Sequence, residues 1–194
     1  MARSILARSL VVVFVLGLGV DFSSLPVRSA EANSRPQFQL PFQCGQKWRA
    51  VTRDNHSPNP HSLDLFRVGG ETSGQPVLAS AAGQVRLSGW DSGGGWMVEI
   101  DHGSDWGTSY LHLIEKSTAE EGQRVERGQQ IGIVGSSGAS SAPHLHYQQW
   151  IGHQNNTVRA VFNGVEVTVA PGKDEILTSH NCFWDFSDGT GPWH

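Results

Sequence analysis

The sequence predicts an all-β fold, an antiparallel β-sandwich or open barrel. Three observations predict it. Short apolar runs alternate with period two, glycine-rich turns separate them, and no segment from residue 33 onward carries a helical apolar stripe over ten residues. Frequent short strands joined by such turns are the mark of sandwiches and barrels.

Each run justifies itself by its pattern. Residues 62–66 (SLDLF), 75–80 (QPVLAS), 83–89 (GQVRLSG) and 96–102 (WMVEIDH) read as strands, followed by 108–113 (TSYLHL), 129–135 (QQIGIVG), 144–150 (HLHYQQW) and 165–170 (VEVTVA). The turns between them are DSGGG, DHGSDWG, EEG, ERG and GSSGASSAP. Residues 117–123 (STAEEGQ) allow one short helical turn. A weak internal echo links GQPVLASAAGQV with GQRVERGQQI, each placing Gly-Gln before a strand and again a few residues later.

The first residues do not belong to this pattern. Arg3 and Arg8 precede the apolar run Leu10–Val20, which is too short to span a bilayer and is followed by the small-residue site AEA. Residues 1–32 therefore read as a secretory signal peptide cleaved after Ala32, giving a secreted or periplasmic chain with no stable membrane insertion. The expected layout is a short N-terminal segment 33–43, a single domain 44–182 and a tail 183–194, in a monomer. Loss of residues 1–32 removes three arginines and two acids, leaving 11 basic and 16 acidic residues, net −5. Such a charge excludes the basic face of a nucleic-acid binder. The two cysteines, Cys44 and Cys182, lie at the ends of the domain, and in an exported protein two cysteines pair.

Chemistry concentrates in three places. In PHLHYQQW, strand alternation puts His144, His146, Gln148 and Trp150 on one face, with Leu145, Tyr147 and Ile151 on the other. In YLHL, the same alternation groups His112 with Tyr110 and Ile114, and sets Leu111 and Leu113 toward a core. In HSPNPHSLDLF, buried Leu63 and Leu65 would turn Asp64 outward with Ser62 and Phe66. His61 stands at an odd offset from Asp64, whereas a loop through SPNP can fold His56 back beside it. A helical turn through PHSLD would instead favour His61.

The order and spacing of GQPVLASAAGQV, VEIDHG, YLHL, EGQRVERGQQIGIVGSSG and PHLHY resemble peptidase family M23, the zinc metallopeptidases of the lysostaphin, LytM and β-lytic type. The resemblance runs from about Cys44 to Cys182. The common first motif H-x-x-x-D is missing, and HSPNPHSLD resembles instead a secreted branch with a longer interval. What the resemblance implies is a zinc endopeptidase acting on bacterial peptidoglycan peptides, with the family's duplicated β architecture. It places His56, Asp64 and His146 as zinc ligands, His144 and His112 as catalytic histidines, and His102 as structural. His112 would hold the oxyanion and His144 carry the proton, although these roles can be exchanged. His153, His180 and His194 match nothing. No H-E-x-x-H helix is present, so a glutamate-based zincin mechanism does not apply. The loops RDNHSPNP, DSGGGW and GSSGASS, with Trp90, Trp96 and Trp106, would border a narrow cleft. Two other readings are a non-catalytic wall-binding or amidase-regulating protein on the same fold, and a zinc amidase or carboxypeptidase.

Overall fold

The computed structural model describes residues 34–54, 56 and 61–182. The leader, the SPNP approach, the C-terminal tail and His194 lie outside them. Among the described residues there is no helix, and none long and apolar enough to cross a membrane. The strands are β1 (Lys47–Val51), β2 (Leu63–Arg67), β3 (Pro76–Leu78), β4 (Gly83–Asp91), β5 (Gly95–Gly103), β6 (Trp106–Leu113) and β7 (Arg124–Val125). They continue with β8 (Gln130–Ile133), β9 (Leu145–Ile151), β10 (Thr157–Val158), β11 (Val161–Phe162), β12 (Val165–Glu166) and β13 (Asp174–Thr178).

One antiparallel sheet of nine strands runs β13-β1-β2-β9-β6-β5-β4-β7, with β10 also on β9; β3–β8 and β11–β12 form two smaller ribbons. Alternation drives the main sheet as the sequence predicts. Leu65, Leu145, Tyr147, Val98 and Ile100 are fully buried on its inner face, where Val77 and Ile131 of the β3–β8 ribbon meet them. Burying a side chain of this size stabilises by about 1.5–3 kcal/mol, so these strands hold their register firmly. The echo noted in the sequence has a structural meaning: its two halves pair with each other, β3 with β8 and β4 with β7.

Several elements differ from expectation. Strands β1 and β13 were not anticipated; KWRAV is short and charged, and β13 is an exposed edge strand with no buried face to set a period. Only Val165–Glu166 of VEVTVA is strand. Residues 117–123 form bends and a turn rather than a helical turn, with Gly122 N bonded to Val85 O at 2.8 Å. The segment before Cys44 belongs to the core: Phe38, Leu40 and Phe42 are buried, and Gln39 N and Leu78 N tie it to β3 through Ser80 O and Pro41 O. Cys44 and Cys182 are joined in a disulfide that links this segment to the end of β13.

His102 behaves as a structural histidine. Its Nδ1 donates to Ala82 O at 2.8 Å, and its Nε2 lies 2.8 Å from the Thr108 hydroxyl, which reaches Tyr110 OH at 3.0 Å. Burial pushes its pKa down from 6.5 to about 4. The unfolded chain therefore takes this proton below pH 6.5, while the fold resists it until about pH 4. The stability it gives is complete above pH 6.5 and is lost as pH falls through that window. Denaturant titrations from pH 7 to 4 should show wild type losing about 2 kcal/mol more than His102→Gln. Parallel pH profiles of the two proteins would contradict this.

Candidate active site

Register builds the site. Asp64 on β2 pairs across to His146 on β9, and His146 pairs on to Leu111 on β6. These strands are pinned from behind by Leu63, Leu65, Leu145 and Tyr147, so the outward residues are placed by core packing. The predicted β9 faces hold: Leu145 and Tyr147 face the core, while His144 and His146 face the site.

His56 reaches Asp64 through a turn in which its backbone N donates to Arg53 O at 3.1 Å. His61 is exposed, lies away from the main cavity, and forms part of a separate depression with Asp54 and Arg159. The structure thus brings together His56, Asp64, His112, His144 and His146, all buried, and leaves His61, His153 and His180 outside.

Three imidazoles converge on one oxygen. Asp64 Oδ1 lies 3.0 Å from His56 Nε2, 3.2 Å from His144 Nε2 and 3.1 Å from His146 Nδ1. The tautomers follow from the outer partners. Thr52 spends its only hydroxyl proton on Ser62 O (3.0 Å), so His56 Nδ1, 3.1 Å from the same oxygen, must be the donor. His144 Nδ1 donates to Ala142 O at 2.8 Å. Neutral His56 and His144 therefore both aim a lone pair at a carboxylate oxygen, and His144 Nε2 has no hydrogen-bond partner. Acceptors crowded in this way require a positive charge between them, either a proton or a cation. Two imidazole nitrogens and a carboxylate oxygen form the donor set of a catalytic zinc site, which keeps a fourth position open. His56, Asp64 and His146 fit that set. A second cluster, His112, His144 and His146, shares His146 with it.

The electrostatics agree. Burial opposes ionisation of Asp64, but without a cation, protons presented to it by His144, His146 and His56 outweigh burial and hold the carboxyl far below its usual range. Burial takes His146 down to about 4. At His144 burial is outweighed by Asp64 and the Ala142 carbonyl, and its pKa is raised. Burial lowers that of His112.

His112 departs from the alternation read from the sequence. Tyr110 and Leu113 are the core residues, while Leu111 and His112 both line the cavity. The cause is a left-handed backbone at His112, φ 63°, beside a bulge in the β5–β6 pairing between Trp96 and Val98. Its amide donates to Gly94 O (2.8 Å) and its Nδ1 to Ser137 O (2.8 Å). A single non-glycine residue in this conformation costs about 1–3 kcal/mol, and such strain gathers at functional sites.

The site opens into a cavity of about 610 Å³ walled by the loops around Asp91–Gly94 and Gly138–Ser141. Two of the three loops expected to border the cleft, DSGGGW and GSSGASS, form these walls, and Arg53 of the third, RDNHSPNP, also lines the cavity. Gly95 and Gly138 have positive φ, and a side chain on Gly138 would strike the Gly95 backbone, so the two loops close together only with glycine at these positions. None of the three candidate tryptophans lines this cavity. Trp96 and Trp106 pack on the core, and Trp90 edges a neighbouring depression with Glu99 and Gln148. Three site residues were not read from the sequence: Thr52, Gln148, and Arg53, which donates to Asp64 Oδ2 at 3.2 Å. Each is an ordinary polar residue that acts through a site residue, Thr52 on His56, Gln148 on His146 and Arg53 on Asp64. Only Gln148 had a signal, its place on the His146 face.

The strain at His112 has a measurable signature. Glycine normally destabilises a strand relative to alanine, yet here His112→Gly should be more stable than His112→Ala by about 1 kcal/mol, since only alanine pays for the positive φ. Thermal melts that rank alanine above glycine would refute the strain.

The family model for Peptidase family M23 matches residues 68–160. The match begins after Asp64, so the first ligand pair stands on geometry. ShyA of Vibrio cholerae, a peptidoglycan DD-endopeptidase, is 43% identical over 75 residues, 39% of this chain and 17% of ShyA. ALE-1 of Staphylococcus capitis, a glycyl-glycine endopeptidase, is 37% identical over 138 residues, 68% of this chain and 36% of ALE-1. The chain thus spans well under two thirds of either relative. Among solved structures, pseudoalterin, a deep-sea M23 metalloprotease, shares the fold with a TM-score of 0.56 at 19% identity, covering 72% of this chain and 86% of that one.

Proposed function

Because the chain belongs to peptidase family M23, we propose that it is an exported zinc endopeptidase that hydrolyses peptide bonds of bacterial peptidoglycan. The observation that carries this reading is the meeting of His56 Nε2, His146 Nδ1 and His144 Nε2 at Asp64 Oδ1. The names of ShyA and ALE-1 support the substrate class, and they differ in the bond they specify. The disulfide supports an oxidising compartment. The non-catalytic alternative would lose one of the five side chains or scatter them, and all five are gathered.

In this reading His56, Asp64 and His146 hold zinc. Zinc bound there supplies Lewis acidity toward the peptide carbonyl and brings the pKa of a bound water toward about 7. The chain's own residues do the rest. Thr52 orients the His56 ring, and Arg53 holds Asp64 Oδ2, leaving Oδ1 to face the histidines. His144, pinned through Nδ1, offers Nε2 as the acceptor of the attacking water's proton and then returns that proton to the leaving amine. His112 is pinned the same way by Ser137 O, so its neutral ring also presents a lone pair. It can hold an oxyanion only while Nε2 carries a proton, a form that its lowered pKa disfavours. The small residues of the cavity walls, Gly93, Gly94, Gly138 and Ala139, suit a thin peptide with small side chains.

Zinc content after gel filtration and release of soluble fragments from peptidoglycan test the assignment. His56→Ala should lose both metal and hydrolysis, and His61→Ala should keep both. His144→Ala should keep zinc while turnover falls about 10²- to 10⁴-fold. A His61→Ala protein without zinc, beside a His56→Ala protein that retains it, would overturn the ligand set.

A further inference from the structure

We propose that Gln148 is a positioning residue that decides which nitrogen of His146 is free for the cation. The inference rests on the zinc reading above. His146 and Gln148 are both buried, two residues apart on the same face of β9. His146 Nδ1 faces Asp64 Oδ1 at 3.1 Å, and its other nitrogen, Nε2, lies 2.9 Å from Gln148 Nε2.

A neutral imidazole has one N–H and one lone pair. With the Gln148 NH₂ donating to His146 Nε2, the lone pair sits on Nε2 and the proton on Nδ1, where it bonds to Asp64. Nδ1 is then closed to a cation. Binding at Nδ1 needs the other tautomer, with the proton on Nε2 and an acceptor to receive it. A half-turn of the Gln148 amide exchanges NH₂ for Oε1 at the same place, and the ring does not have to move. Gln148 thus serves both states, as donor to the unloaded ring and acceptor from the loaded one. His56 differs, because Thr52 already holds it in the cation-ready tautomer. His146 is the ligand whose tautomer must change, and Gln148 is the residue that permits it. Partners of this kind orient metal-bound histidines, and their loss weakens binding about 10- to 100-fold.

Zinc affinity, measured by chelator competition on the full chain, separates the possibilities. Gln148→Leu should bind zinc about 10- to 100-fold more weakly than wild type. Gln148→Glu, which can only accept, should restore wild-type affinity or exceed it. Ring ¹H–¹⁵N spectra of wild type should show the His146 proton on Nδ1 without zinc and on Nε2 with it, a change that a merely structural glutamine would not produce. A Leu variant that binds as tightly as wild type overturns the role of Gln148 and leaves the zinc reading standing. Wild type that takes up no zinc overturns both. If the Leu variant does not fold, the wild-type spectra decide: zinc on Nε2 with the proton kept on Nδ1 refutes the proposal.

Discussion

The crowding of imidazole nitrogens around Asp64 Oδ1 sets the terms for the rest of the structure. A buried carboxylate is tolerable only with compensating positive charge or donors. Arg53 serves Oδ2, but at Oδ1 two of the three histidines are held, by their own outer hydrogen bonds, with lone pairs pointing inward. That arrangement is unfavourable when empty of charge and favourable around a cation. Stability and function are therefore opposed at this point, and the surrounding sheet has to supply the difference. It does so through a row of fully buried side chains, Leu65, Leu145 and Tyr147, directly behind the site residues.

A second opposition lies at His112. The left-handed backbone there interrupts a strand, yet it sends Leu111 and His112 to the cavity while keeping Tyr110 and Leu113 in the core. A regular strand would have to bury either the histidine or expose a core residue. The bulge against β5, the bond to Gly94 O and the grip of Ser137 O on Nδ1 together hold the strained residue in place. The glycine contact between Gly95 and Gly138 brings those two loops within reach of it.

Much of this was legible in the sequence where one residue's neighbours along the chain decide its place. Strand alternation located the faces of β9 and the outward turn of Asp64, and the odd offset of His61 matched its position outside the cluster. The N-terminal contribution to the core was missed although Phe38, Leu40 and Phe42 alternate in the sequence, because the segment between Pro36 and Pro41 forms no strand and is held in the core by its bonds to the β3 region. The face of His112 was misread because a bulge is set by the partner strand and leaves no mark on alternation. Strand β13 has no buried side to betray it. Thr52, Arg53 and Gln148 are ordinary polar residues whose roles exist only through His56, Asp64 and His146.

The central claim is that Asp64 Oδ1, His56 Nε2 and His146 Nδ1 together form a cation site. X-ray absorption at the zinc edge, on protein loaded with one equivalent, tests it most directly. The account predicts two imidazole nitrogens and carboxylate or water oxygen as neighbours at about 2.0–2.2 Å, with no sulfur. Loss of one imidazole from that shell in His56→Ala would follow. A shell of three imidazoles and no carboxylate, or one unchanged by His56→Ala, would contradict it.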